Sequence, residues 1–409
     1  MIRPVQSGVT IETIREARAG LGAAVRLTPV VPSGLLSRIA GVPIVLKCEQ
    51  LQRTGSFKVR GALNFLRLLP PEELARGLIT ASAGNHAQGV ALAGRERGAH
   101  VTVVMPVFAP LAKSNAARGY GAEVVLHGAS LEEARGEAQA IATREGLIYV
   151  PPFDSDAVIS GQGTIALEIL EQVPDVEEIL VPAGGGGLLA GVAVAVKATR
   201  PGVRVIGVQS SAMDGILRSH ASGRVTTAPV ERTVADGVAV AGPSERTFAI
   251  IERNVDGLIA APEEAIFHAL VLLLERAKMV VEGAGALGVA ALNAGLHRPR
   301  GKTVVILSGG NIDINLISSV VRRGLVDAGR YATVALEVAD SPGELATVTG
   351  AIADARANVL EVEHDRESAD LPIGVTVVKL LLEVDGPAHL ERVIATLRER
   401  GRYHVTHER

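Results

Sequence analysis

The sequence predicts an α/β protein in two parts, a large region of helix-covered parallel sheets and a small terminal unit of mixed strands and helices. Two observations predict it. Through about residue 330, short β-branched runs alternate with longer Ala/Leu/Glu/Arg segments. Strands that are apolar along their whole length, joined through helices, belong to parallel sheets buried on both faces. After Arg330 the order becomes strand, helix, strand, strand, helix, strand, which is a ferredoxin-like βαββαβ unit. A chain of 409 residues suits two or three domains at roughly 150 residues each. The expected division is 1–330, with a smaller lobe at roughly 50–150, and 331–409.

The elements follow in order. Strands are expected at 42–47, 100–105, 122–127, 177–182, 203–209 and 302–308. Helical segments are expected at Leu131–Glu145, Gly161–Gln172 and Pro262–Lys278, where Ala, Leu, Glu and Arg dominate. In the terminal unit the strands are 332–339, 358–368, 374–384 and 403–408, and the helices 344–357 and 386–401. The turn DSPG (340–343) separates the first strand from the first helix. The run 179–196 is uncharged and nearly long enough to span a bilayer. Pro182 and four glycines inside it make a continuous helix costly, so it reads as a strand (Ile179–Val181), a glycine turn and a helix from about Leu188.

Composition narrows the function. The net charge is −3, with no basic excess to neutralise a nucleic-acid backbone. Six Phe, four Tyr and no Trp leave few stacking platforms for bases. The single cysteine, Cys48, can form neither an internal disulfide nor a cysteine-based zinc site. The opening residues lack the apolar stretch of a secretory signal. A cytoplasmic enzyme or binding protein is the expectation, with no membrane and no nucleic-acid partner.

Four motifs carry chemistry, and in parallel sheets such motifs sit at the carboxyl ends of strands. Lys58, in TGSFKVRGA (54–62), lies among small and apolar residues; burial would lower its pKa and leave a nucleophilic amine able to form a Schiff base with a carbonyl cofactor. A lysine whose stem packs while its head reaches solvent would read the same way. The stretch TASAGNHAQGVA (80–91) suits a loop that opens a helix, its backbone N–H groups facing a carboxylate. Asn85 there could donate to a ring hydroxyl, while His86 could equally be a helix-end histidine with no chemistry. Gly184, Gly185, Gly186, Gly187 and Leu188 follow a strand and precede a helix, so successive N–H groups can converge on one phosphate. The spacing is neither that of a nucleoside-triphosphate loop nor that of a dinucleotide fingerprint. In LSGGN (307–311), Ser308 could meet a heteroaromatic nitrogen or simply cap a helix. A nucleophilic lysine, a phosphate cup, a carboxylate loop and a ring-nitrogen partner are together the parts that pyridoxal phosphate and an amino-acid substrate require.

SFKVRGA, SAGNHAQG, GGGGL and SGGN, in this order, resemble the fold-type II pyridoxal-phosphate enzymes. More narrowly they resemble the threonine ammonia-lyase (threonine dehydratase) branch, which also holds serine dehydratases and serine racemases. The resemblance runs from about Thr28 to Leu316. It implies a two-lobed catalytic domain and deamination of L-threonine to 2-oxobutanoate and ammonia, with L-serine as a secondary substrate. It implies that Lys58 carries the cofactor in Schiff-base linkage and then takes the Cα proton, that Phe57 packs beside the ring, and that Asn85 meets the ring O3′. Gly184 to Leu188 would hold the phosphate and Ser308 would face the pyridine nitrogen. Ser82, Asn85 and His86 would surround the substrate carboxylate. Asp236, in VADG (234–237), matches a position near the substrate, and Glu282, in VEGAGA (281–286), one near the ring; a structural carboxylate would fit either place. A neutral serine at the ring nitrogen leaves the carbanion less delocalised, which favours loss of the β-hydroxyl over reprotonation. A serine-preferring dehydratase and a non-catalytic amino-acid sensor are the alternatives.

Two positions depart from the resemblance. Where racemases of this branch place a second base, this chain has Ala83, so negligible racemisation is expected. Where the branch places a divalent-cation glutamate, this chain has Gln209, and no metal is expected.

The terminal unit resembles an ACT regulatory domain through DSPGEL (340–345) and ANVLEV (357–362). That resemblance implies pairing between subunits, a homodimer or homotetramer, and an amino-acid effector such as isoleucine or valine near Gly343 and Asn358. A unit used only for assembly is the alternative.

Overall fold

The computed structural model describes residues 8–229, 231–366, 371–401 and 403–408. The opening residues 1–7 and the last two residues of the strand expected at 358–368 lie outside the described residues. The chain divides into two compact units, Met1–Asp313 and Ile314–Arg409. The second takes in the helix Ile314–Asp327, which lies before the expected division at residue 330.

Ten strands of the first unit are described: β1 (Val30–Pro32), β2 (Ile44–Cys48), β3 (Leu78–Ala81), β4 (Val101–Met105), β5 (Glu123–Leu126), β6 (Ile148–Tyr149), β7 (Glu178–Pro182), β8 (Arg204–Ser210), β9 (Gly257–Ala261) and β10 (Thr303–Leu307). They form a six-stranded sheet, β1-β2-β10-β7-β8-β9, and a four-stranded sheet, β5-β4-β3-β6. The smaller sheet is parallel throughout, and in the larger one only the β1–β2 pair is antiparallel. Strands β2, β3, β4, β7 and β10 are buried at every position, as apolar parallel strands covered on both faces must be.

Two helix readings needed correction. The segment expected to start at Gly161 is a helix over Asp156–Gln172. Gly161 and Gly163 do not end it; they let other backbones approach. A Cβ on Gly161 would stand 2.7 Å from the Arg60 carbonyl, and one on Gly163 2.8 Å from that of Gly191. The segment Pro262–Lys278 is an α-helix over Glu263–Leu272, continued by a π turn at Leu273–Ala277 and stopped by Lys278 in the left-handed region (φ 58°). The uncharged run 179–196 resolves into β7, a glycine loop and the helix Gly187–Thr199. Among the described residues, no helix is long and apolar enough to cross a membrane.

The second unit is built on an antiparallel sheet, β12-β13-β11-β14, with β11 at Tyr331–Ala339, β12 at Asn358–Asp365, β13 at Val375–Glu383 and β14 at His404–Glu408. The helices Glu344–Asp354 and Pro387–Gly401 supply Val348, Ile352, Val393 and Leu397 to a core shared with Val334, Leu336 and Leu380 of the sheet. This is the βαββαβ order that the sequence predicts. The first helix stops three residues short of expectation at Asp354, and Arg356 turns left-handed (φ 62°).

Candidate active site

The motifs converge on one cavity of about 330 Å³ in the first unit. Lys58 is the first residue of the helix Lys58–Leu68. The strip before it is stitched to the loop after β10: the Phe57 N–H donates to the Ser308 carbonyl (3.1 Å), the Gly310 N–H donates to the Gly55 carbonyl (2.9 Å), and Ser56 bridges Gly309. Residues far apart in the chain are thereby held side by side, with Lys58, Phe57 and Ser308 all lining the cavity. The Lys58 amine donates to the Pro152 carbonyl at 3.1 Å. Burial pulls its pKa down to about 8, against the opposing charge of Glu282. Such an amine is partly neutral near pH 8 and able to attack a carbonyl.

Gly184, Gly185, Gly186, Gly187 and Leu188 line the same cavity. Gly186 has φ 91°, and a Cβ on Gly185 would lie 2.5 Å from the Phe153 ring. Only glycine allows this path. The N–H groups of Gly184, Gly185 and Gly186 have no partner among the described residues. Those of Gly187 and Leu188 start the helix Gly187–Thr199, where first-turn donors have no intrahelical acceptor. Successive unspent donors at a helix N-terminus make an anion cradle. The Ser308 hydroxyl, at the end of β10, faces the same cavity as a neutral donor or acceptor. A phosphate cradle, a nucleophilic amine and a neutral hydroxyl fit a phosphorylated aromatic aldehyde.

Asn85 and His86 open the helix Asn85–Arg97, and Ser82 precedes it; all three line the cavity. The Asn85 amide donates to Glu282 Oε1 (2.7 Å) and its oxygen accepts from Asn311 (2.7 Å), which also donates to the Thr54 carbonyl (2.7 Å). Glu282, in this chain of amides, is pushed up to about 7 by burial, with the Asn85 hydrogen bond opposing and the Asp236 charge adding to the rise. His86 is held near 3 by burial and by the Lys58 charge, so its ring is neutral. It pairs with the Val150 carbonyl at 3.0 Å, and neutrality makes Nε2 the donor. Nε2 is thus committed to the protein, whereas Nδ1 has no hydrogen-bond partner among the described residues. Ser82 Oγ accepts from the Gly84 N–H at 3.2 Å, which shapes the loop.

Asp236 lines the cavity at its mouth and is ion-paired to Lys113 of the helix Leu111–Gly119. Lys113, Arg135, Phe153 and Asn311 line the cavity without having been singled out. Asn311 ends the SGGN motif and could have been chosen with Ser308. The other three stand in segments with no recognisable spacing. Ala83 also lines the cavity. Gln209 spends its amide on its own loop, donating to the Met213 carbonyl (3.0 Å) and accepting from the Leu217 N–H (2.9 Å). Among the described residues, no group of three or more His, Cys, Asp or Glu could hold a metal.

In the second unit, Gly343 (φ 99°) starts the helix Glu344–Asp354, and Asn358 starts β12. Asn358 pairs with Glu383 and Glu383 with Tyr331, the first residue of β11, whereas Gly343 follows the last. The two positions therefore stand at opposite ends of the sheet, and one chain does not bring them into a common site.

An amine, a phosphate cradle and a ring-atom hydroxyl in one cavity define an enzyme that works through a phosphorylated aldehyde cofactor. Comparisons with known proteins agree. Residues 22–309 match the family described as pyridoxal-phosphate dependent enzyme, and residues 329–400 match the ACT domain. The chain is 50% identical over 385 residues to an L-threonine ammonia-lyase of Geobacter sulfurreducens, covering 94% of this chain and 96% of that one. It is similar to the crystal structure of a threonine deaminase from T.th., with TM-score 0.71 and 42% identity over 75% of this chain and 99% of that one. It is also similar to a maize serine racemase, with TM-score 0.73 and 35% identity over 78% of this chain and 98% of that one. The chain belongs to the pyridoxal-phosphate dependent enzyme family, and pyridoxal phosphate is its cofactor.

Proposed function

We propose that the protein deaminates L-threonine to 2-oxobutanoate and ammonia by eliminating water, and converts L-serine to pyruvate as a secondary reaction. The carrying observation is the convergence of Lys58, the glycine cradle and Ser308 on one cavity. The L-threonine ammonia-lyase similar over nearly the whole chain supports the substrate.

Bound pyridoxal phosphate supplies an electron sink for charge that develops at the substrate Cα. Gly184 to Leu188 would hold the phosphate through backbone N–H groups, and Phe57 would pack beside the ring. Ser308 would be a neutral partner for the ring nitrogen, and Asn85, supported by Asn311, would serve the ring hydroxyl. The first-turn N–H groups around Ser82, Asn85 and His86 hold the substrate carboxylate. The Lys58 amine takes the Cα proton; the β-hydroxyl leaves as water, and the released enamine hydrolyses to the keto acid and ammonia. Glu282 braces Asn85, and Asp236 with Lys113 borders the substrate side of the cavity. Ala83 supplies no second base, so racemisation stays negligible.

Residues 331–409 would form the regulatory part. Isoleucine or valine bound near Gly343 or Asn358 would modulate the reaction, and since these two stand apart in one chain, a second copy would complete any site using both. The working form would be a cytoplasmic homodimer or homotetramer. Steady-state release of keto acid from threonine and from serine, with and without isoleucine, tests the reading. Threonine turnover above serine turnover is expected; no keto acid from either would defeat it. Calorimetry with branched-chain amino acids, before and after truncation at Arg330, tests the regulatory part. Heat only in the full chain is expected, and no heat in either would remove it.

A further inference from the structure

Arg60 lies on the same helical turn as Lys58 and is fully buried. Its guanidinium donates to Glu49 through Nε and Nη2, both at 2.8 Å, and to Glu168 through Nη1 at 2.6 Å and Nη2 at 3.0 Å. It also reaches Thr164 Oγ1 (3.2 Å) and the Arg26 carbonyl (3.3 Å). Glu168 in turn holds Lys47 at 2.6 Å, so two cations and two anions sit together out of water. Apolar residues of similar volume often serve stability as well as such a network or better. What a forked guanidinium with several partners does enforce is a single orientation.

The helix start needs that enforcement. Phe57 offers no side-chain cap, and the Gly61 N–H is received by Gln162 Oε1 of the neighbouring helix at 3.2 Å. A Cβ on Gly89 would lie 3.2 Å from the Lys58 backbone, so another helix presses on the same turn. Residues two apart on a helix point roughly 200° away from each other. Anchoring Arg60 therefore sets where Lys58 points on the far side.

We propose that Arg60 is a positioning residue for Lys58: through Glu49 and Glu168 it fixes the rotation of the first helical turn so that the amine reaches the cofactor aldehyde. The Lys58 nitrogen adds to the aldehyde carbon and water leaves, forming the C=N link. The proposal rests on Lys58 being the residue that takes up the cofactor.

The test uses full-length apo protein: wild type, Arg60→Lys, Glu49→Gln and Lys47→Met. Circular dichroism and thermal melting report folding. Uptake of pyridoxal phosphate is followed by absorbance, and borohydride reduction with peptide mass analysis measures the fraction linked at Lys58. Arg60→Lys should slow linkage on the order of tenfold to a hundredfold, as expected when a reacting group is displaced by about an ångström. Glu49→Gln should slow it less. Lys47→Met, on β2 rather than the lysine helix, should lower the melting temperature with linkage unchanged. Folded Arg60→Lys that links at the wild-type rate would overturn the proposal. So would an equal linkage defect in Lys47→Met, or unfolding of both Arg60→Lys and Glu49→Gln, since each assigns the network to stability alone. A wild type that links no cofactor at Lys58 would instead defeat the reading on which the proposal rests.

Discussion

Lys47 and Lys58 stand on nearby pieces of the chain, one in β2 and one at the start of the next long helix, and burial lowers the pKa of both. Their surroundings differ. The Lys47 ammonium has a full set of acceptors: the Thr28 carbonyl (2.9 Å), Glu168 (2.6 Å) and Gln172 (2.8 Å). The Lys58 amine has one neutral acceptor and faces a cavity. Burial lowers the Lys47 pKa against the charges of both Glu168 and Glu49, while for Lys58 only the Glu282 charge opposes burial. A buried lysine thus becomes a nucleophile when its desolvation is left uncompensated and one side stays open. With its charge neutralised on all sides, it becomes structure.

Four experiments can break or sharpen that contrast. Lys58→Ala should have the largest effect: turnover falls by several orders of magnitude, as when a nucleophile is removed, while circular dichroism is unchanged. A variant retaining a tenth of wild-type turnover would break the contrast at once. Lys47→Met leaves Glu168 short of a partner in a buried site, and loss of one member of a buried pair costs about 3–5 kcal/mol. Denaturant unfolding should show a loss of that order, with the visible absorbance of the bound cofactor retained.

The third concerns pH. Cofactor uptake by apo protein requires the neutral Lys58 amine, so its rate should climb as pH rises through about 8 and then level. Between about 8 and the ordinary lysine value of 10.5, the unfolded chain holds a proton that the folded apo protein has released. Stability should therefore rise with pH across this window from this group, and Lys58→Ala should remove that rise. Stability scans of the two proteins that superimpose in slope would contradict it.

The smallest effect belongs to a third lysine. Lys113 is ion-paired to Asp236, whose side chain is half exposed. An exposed pair of this kind contributes about 0.2–1 kcal/mol, so Lys113→Met should barely move the melting temperature. Because the pair borders the cavity, KM for the amino acid should change more than stability does. A melting shift comparable to that of Lys47→Met would show that the pair is structural.

The parts of the site that the sequence made legible share one property. Lys58, the 82–86 loop, Gly184 to Leu188 and Ser308 each depend on local backbone chemistry, such as a glycine path, a helix start or a strand end, and local chemistry is written in consecutive residues. Lys113, Arg135 and Phe153 follow no such rule and enter only because the chain folds back. Gly161 shows the reverse error: read as the start of a helix, it lies within one, where it and Gly163 make room for other backbones.

By itself the sequence determined the two-part α/β organisation, the cofactor-binding motifs and the lysine among them, because strand burial, glycine turns and helix starts have short-range signatures. Only the tertiary structure decided which buried lysine is neutralised and which is left open. It placed Glu168 against Lys47 across 121 positions of chain, braced Asn85 with Glu282 and Asn311, and set Gly343 and Asn358 at opposite ends of one sheet. Electrostatic partnership depends on distance in space, and distance in space between remote residues is set by packing.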